Sequence, residues 1–137
     1  ENKKNKKEPI PNELREEVYR RDGKGLFDTT CSICHVPVNP ISNISGYSCG
    51  HIYPEARVKG LPNEKELKKV LLNIDNMAVI CVSCNSKMNR YNKNKERMEM
   101  REYIKKVWKE KRYNEFINKR KEQLDRLDKL LKEHKLI

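Results

Sequence analysis

The sequence predicts an α+β chain, a small mixed domain clamped by a four-cysteine zinc site and followed by a long helical extension. Three observations predict it. Two C-x-x-C pairs, Cys31-Ser-Ile-Cys34 and Cys81-Val-Ser-Cys84, bracket the middle of the chain. Between them lie two strand-like stretches, "YSCGHIY" and "MAVIC", separated by the helix-like "NEKELKKVLLN". From Glu96 to the end there is neither Pro nor Gly, and apolar residues recur at helical spacing.

Taken in order, residues 1–9 read as a basic arm, with Lys3, Lys4, Lys6 and Lys7 and no apolar periodicity. "PNELREEVYRRDG" opens the domain of residues 10–95 as a helix. Asn12 is its expected cap, Leu14, Val18 and Tyr19 form one buried face, and Gly23 and Gly25 stop it. Pro37, Asn39, Pro40 and Ser42 break the chain after the first cysteine pair. "NEKELKKVLLN" is expected to be capped by Asn63, with Glu66 in capping-box position. Asp75 and Asn76 make a turn into "MAVIC", and a further helix is expected to begin near Asn85.

Residues 96–137 are expected to form one basic helix or two with a bend. Met100, Ile104, Val107, Ile117, Leu124, Leu127 and Leu131 make its apolar stripe. That stripe either packs on the domain or forms a short coiled-coil seam through which a homodimer assembles. Arg120 falls at a seam position and disfavours a long coiled coil.

Composition narrows the partner. The 137 residues carry 31 Lys and Arg against 20 Asp and Glu, a net charge of +11, with only 36% hydrophobic residues. An excess of this kind favours a polyanion, because each neutralised phosphate releases condensed counterions. The longest apolar run, Met77 to Val82, is far too short to span a bilayer. No secretory signal is visible behind "ENKKNKKEP", so the expectation is an intracellular protein of cytoplasm or nucleus rather than a secreted one. The sequon Asn43-Ile44-Ser45 is accordingly read as chance.

Five cysteines in a lysine-rich chain of this type point to metal rather than disulfides. A tight turn aims both sulfurs of a C-x-x-C to one side, and two such turns complete a tetrahedron. Cys31, Cys34, Cys81 and Cys84 are therefore expected to hold one structural Zn²⁺, a soft donor set that selects zinc over magnesium. Such a closed site leaves no coordination position for catalysis. Cys49 is read as a small buried side chain.

The order C-x-x-C, "GHIYPEA", Asn76, C-x-x-C-N resembles the HNH endonucleases, over roughly residues 10–92, in the subgroup with a four-cysteine zinc knuckle. The resemblance implies a ββα-metal fold and a metal-dependent DNA endonuclease. By position, His51 matches the general base and Asn76 the residue that holds the loop orienting it. Asn85 matches the ligand of a catalytic Mg²⁺ or Mn²⁺, which would stabilise the leaving 3′-oxygen. Histidine suits the role, since its ordinary pKa lies near neutral. Alternatively His51 is a buried histidine bonded to backbone.

Arg57, Lys87 and Arg90 are the candidate nucleic-acid contacts, Arg57 being equally readable as a surface arginine. The sequence departs from the family pattern in three places. Gly50 stands where many members carry an Asp or His ligand, so that metal binding would fall to Asn85, waters, phosphate and a carboxylate such as Glu55 or Asp75. Val58-Lys59-Gly60 replaces a Gly-Gly, and Met88 falls where a lysine is common. The alternative function is a zinc-stabilised nucleic-acid-binding module without catalysis, and a weaker third is an adaptor that binds a partner protein through its basic helix.

Overall fold

The computed structural model describes residues 10–23, 29–38, 49–90 and 97–137, the side chains of residues 89 and 90 excepted. The basic arm of residues 1–9, most of the Pro-rich loop and the side chain of Arg90 lie outside the described residues. Helix α1 spans Asn12–Asp22. Strands β1 (Cys49–His51) and β2 (Met77–Val79) form an antiparallel pair, with helix α2 (Glu64–Val70) and two short 3₁₀ turns between them. Helix α3 (Val82–Arg90) follows the second cysteine pair. The C-terminal part is α4 (Met100–Tyr103), a π-helical turn (Ile104–Trp108), α5 (Lys109–Lys119) and α6 (Lys121–Glu133). No described helix is long and apolar enough to cross a membrane.

Each short element forms for a local reason, and several ends differ from expectation. Asn12 is the first helical residue rather than the cap of α1, because Pro11 stands before it with φ preset near the helical value. Gly23 ends α1 and is needed there: a Cβ at this position would lie 2.7 Å from the Tyr19 carbonyl oxygen. Asn63 occupies the cap position of α2, but its side chain makes no capping bond, so the predicted capping box does not form. Glu64 instead accepts from the Gly60 N–H at 2.9 Å and pairs with Lys68 at 2.8 Å. Helix α3 starts at Val82, three residues before the expected Asn85, since the cysteine knuckle itself provides its first turn.

One continuous core joins all of these elements. Val18 of α1, Ile52 and Tyr53 beyond β1, the whole of β2 and Met88 of α3 are buried together with Met100, Tyr103, Ile104, Phe116, Leu124, Leu127 and Leu131. Ile117 is partly buried against the same core. The apolar stripe of the extension thus packs on the domain.

A single straight helix could not do this, because at about 1.5 Å per residue it would carry its far half off the domain. The chain breaks instead at Lys109, where φ is +65°, and again at Arg120. Neither break contains Pro or Gly, and burial of the stripe selects both. Arg120, which sequence spacing marks only as an interruption of a seam, is buried at the second break. Its Nη2 lies 3.1 Å from Asp22 Oδ2 and donates to Ser32 Oγ at 2.7 Å, while Nη1 donates to Gln123 Oε1 at 2.8 Å. Gln123 in turn donates to the Asp75 and Met77 carbonyls at 3.0 Å each. Asp22 also accepts from the Val79 N–H. The network ties α1, the first cysteine turn, β2 and α6 to one another.

Arg120 is one of two guanidiniums on Asp22, the other being that of Arg21 at 2.8 Å, and its loss also strips Ser32 Oγ and Gln123 Oε1 of a donor. Arg120→Met is therefore expected to destabilise the fold by about 1–3 kcal/mol in urea denaturation, with Arg21 keeping the Asp22 carboxylate paired. The Asp22 carboxyl also gives a pH signature. Its burial alone would raise the pKa, but the bonds and charges of Arg21 and Arg120 outweigh that and hold it below the ordinary 3.8. The stability it contributes is complete above that value and is lost as pH falls through the folded-state pKa. Asp22→Asn should accordingly flatten the acid limb of the stability curve.

Candidate functional site

The first cysteine turn closes through backbone. The Cys31 N–H donates to the Val36 carbonyl at 2.8 Å and the His35 N–H to the Cys31 carbonyl at 3.0 Å, with His35 in the left-handed region at φ +65°. The Ile33 N–H points at Cys31 Sγ from 3.4 Å. The second turn repeats the device, with the Cys84 N–H 3.4 Å from Cys81 Sγ and the Asn85 N–H donating to the Cys81 carbonyl. Ser32 N–H bonds to the Val79 carbonyl at 2.8 Å and docks the first turn beside the second.

All four sulfurs of Cys31, Cys34, Cys81 and Cys84 lie within 4.8 Å of one another. A zinc tetrahedron with Zn–S bonds of about 2.3 Å has its sulfurs about 3.8 Å apart, and Cys34 Sγ and Cys81 Sγ stand at 3.6 Å. The residues present fit one zinc ion. Cys49, also buried, is not in the cluster, and burial pushes its thiol up to about 11.

Four sulfurs this close cannot all ionise unaided. A bond from the Cys84 thiol holds Cys31 down at about 5, and giving that bond pushes Cys84 up. Burial pushes Cys34 up to about 11. A divalent ion removes the conflict by ligating thiolates, so loading it releases protons.

The second constellation lies around the β1–β2 pair. In its register Gly50 faces Ala78 and His51 faces Met77. His51 is half-buried, with Nε2 inaccessible to water. Asn76, immediately before β2, is wholly buried. Its Oδ1 accepts from the Tyr53 N–H at 2.7 Å, and its Nδ2 donates to the Tyr53 carbonyl at 3.1 Å and the Leu71 carbonyl at 3.0 Å. The Ile52 N–H donates to the Asn76 carbonyl at 2.8 Å. Asn76 thus holds both residues that follow His51.

Asn85 sits half-buried in the first turn of α3. Its side-chain oxygen accepts a hydrogen bond from Arg97 Nη2, and its carbonyl accepts from Arg97 Nη1 at 3.2 Å. The same guanidinium reaches Gly50, where an added Cβ would lie 3.6 Å from Arg97 Nη2 and 2.5 Å from Ile80 Cδ1. Positions 50 and 85 therefore converge on one cation. Burial pushes the Arg97 guanidinium down to about 10, which leaves it charged at neutral pH.

The other candidates are placed as follows. Arg57 is paired with Glu102 at 2.7 Å and lies over the Tyr53 ring. Lys87 is half-buried on α3, and Met88 is fully buried, a place where an ammonium group would be costly. Asp75 pairs with Arg126 at 3.2 Å, and Glu55 is buried with Lys68 4.0 Å away.

A divalent cation does not fit between positions 50 and 85 as they stand. Hard cations take anionic or carbonyl oxygens. Gly50 offers no side chain, Asn85 Oδ1 is engaged by Arg97, and a full positive charge already stands there. Arg97 is the residue that sequence reasoning missed. It looks like one of the 14 Lys and Arg between residue 97 and the end, and only the fold separates it from the rest.

Comparison of the chain with protein-family models, with curated proteins and with solved structures finds no match in any of the three.

Zinc analysis should find one ion per chain in the folded protein. Cys81→Ser should lose it together with most of the fold, since such binding contributes on the order of 10 kcal/mol. A Cys81→Ser protein that melts like the parent would contradict the assignment.

Proposed function

We propose that this chain hydrolyses phosphodiester bonds in DNA as an endonuclease of the HNH type, with His51 as the general base. The observation that carries the reading is the hold of the buried Asn76 on both residues that follow His51, which fixes the strand exit carrying the histidine. The chain order adds support: β1 and β2, with α2 between them, pair before α3 begins, and His51 ends β1, Asn76 precedes β2 and Asn85 lies in the first turn of α3. The net charge of +11 supports a polyanionic substrate.

In the proposed reaction His51 accepts a proton from water, and the resulting oxygen attacks phosphorus. The bond to the 3′-oxygen breaks, leaving a 5′-phosphate end, and the leaving oxygen takes a proton from solvent. Asn76 acts as a positioning residue by fixing the backbone just beyond His51.

A second reading, a zinc-stabilised DNA-binding module without catalysis, is favoured by one observation: Gly50 and Arg97 displace the expected ligand set. Cleavage of supercoiled plasmid separates the two. The parent is expected to cut, and His51→Ala to cut about a hundredfold to ten-thousandfold more slowly. DNA affinity should not change, because a base acts on the transition state rather than on association. A parent free of contaminating nuclease that never cuts, in magnesium or manganese, would establish the second reading. Equal cutting by His51→Ala would make the histidine structural.

A further inference from the structure

We infer that Arg97 takes the place of the divalent cation at this site, and that its guanidinium, held by Asn85, binds a phosphate oxygen of the nucleic acid. The inference rests on the proposed phosphodiester site but concerns what charges it. Arg97 is delivered there by the fold. Just after it, the Met98 N–H donates to the Met88 carbonyl of α3 at 3.2 Å, and the Met100 N–H donates to the Ile52 carbonyl beyond β1 at 3.0 Å. Segment 97–100 therefore bridges α3 and the end of β1, and the guanidinium falls between the two positions from which a metal would be ligated.

Asn85 is bonded twice, through its side-chain oxygen and its carbonyl, and this fixes the plane of the guanidinium. A planar fork with five N–H donors can hold an amide oxygen and a phosphate oxygen together. The absence of a side chain at Gly50 belongs to the same arrangement. An Asp there would set its carboxylate against Arg97 and close the fork to phosphate, besides pressing on Ile80. Gly50 and Arg97 are thus one exchange of a metal ligand and its metal for a glycine and a fixed cation. Half-burial strengthens the interaction, because a charge with little water around it attracts a phosphate more strongly.

The test uses the zinc-loaded full chain and two probes. In buffer freed of other divalent ions, Mn²⁺ is titrated and followed by electron paramagnetic resonance. The parent is expected to bind no Mn²⁺ that Asn85→Ala removes, whereas the double variant Gly50→Asp, Arg97→Ala should gain one such site. A parent that binds one Mn²⁺ dependent on Asn85 would overturn the inference, and this measurement needs no variant of Arg97 to fold.

The second probe is a short DNA duplex without added divalent ions. Arg97→Met should weaken its binding tenfold or more, and Arg97→Lys by less. Lys129→Met, an exposed control of equal charge loss, should change it about twofold. Arg97→Met and Lys129→Met weakening it equally would also overturn the inference. Should plasmid cleavage be absent while both results hold, the nuclease reading fails and the Arg97 phosphate site stands.

Discussion

Four sulfurs held within 4.8 Å of one another are the constraint on which the rest of this structure depends. The strands are three residues each and, among the described residues, pair only with one another, so the sheet has little stability of its own. What fixes β2 is its position between the two cysteine turns. Val79 receives the Ser32 N–H from the first turn, and Cys81 begins the second two residues later. An ion joining both turns closes a long loop and anchors the end of β2 and the start of α3 at one point. Register then follows, and with it the placing of Gly50 against Ala78 and His51 against Met77.

Polar interactions complete what the small core leaves undone. Asn76 is buried without charge and uses both side-chain termini on the Tyr53 backbone and on Leu71, as a buried amide must. Arg120, Asp22 and Gln123 lock α6 onto α1 and β2 from the opposite end of the sequence. Both networks join backbone carbonyls or amides of β2 and its flanks to helices. The result holds the strand exit beyond His51 between the four-cysteine cluster and a hydrogen-bonded clamp, which is how a fixed local geometry is kept on so little hydrophobic material.

Much of this was legible in the sequence. Paired C-x-x-C spacings announce the four-cysteine cluster because the chemistry of a tetrahedral thiolate site requires that local turn. The apolar "MAVIC" marks the buried strand, and the periodic leucines mark the packed face of α6. The rest was hidden for physical reasons. Helix ends near Pro11 and Asn63 depend on bonds that local motifs suggest but do not guarantee. The breaks at Lys109 and Arg120 come from tertiary burial, with no Pro or Gly to signal them. Arg97 and Arg120 look in sequence like the exposed basic residues around them, and only their surroundings bond one to Asn85 beside Gly50 and make the other a buried lock.

The central claim is that one metal ion organises the strand pair and everything placed by it. Titrating Zn²⁺ into the reduced, metal-free chain while recording amide ¹H–¹⁵N spectra tests this directly. The account predicts collapsed dispersion for residues 49–53 and 76–85 without metal, and full recovery at one equivalent. Dispersed native signals for Gly50, His51 and Asn76 in the metal-free chain would contradict it.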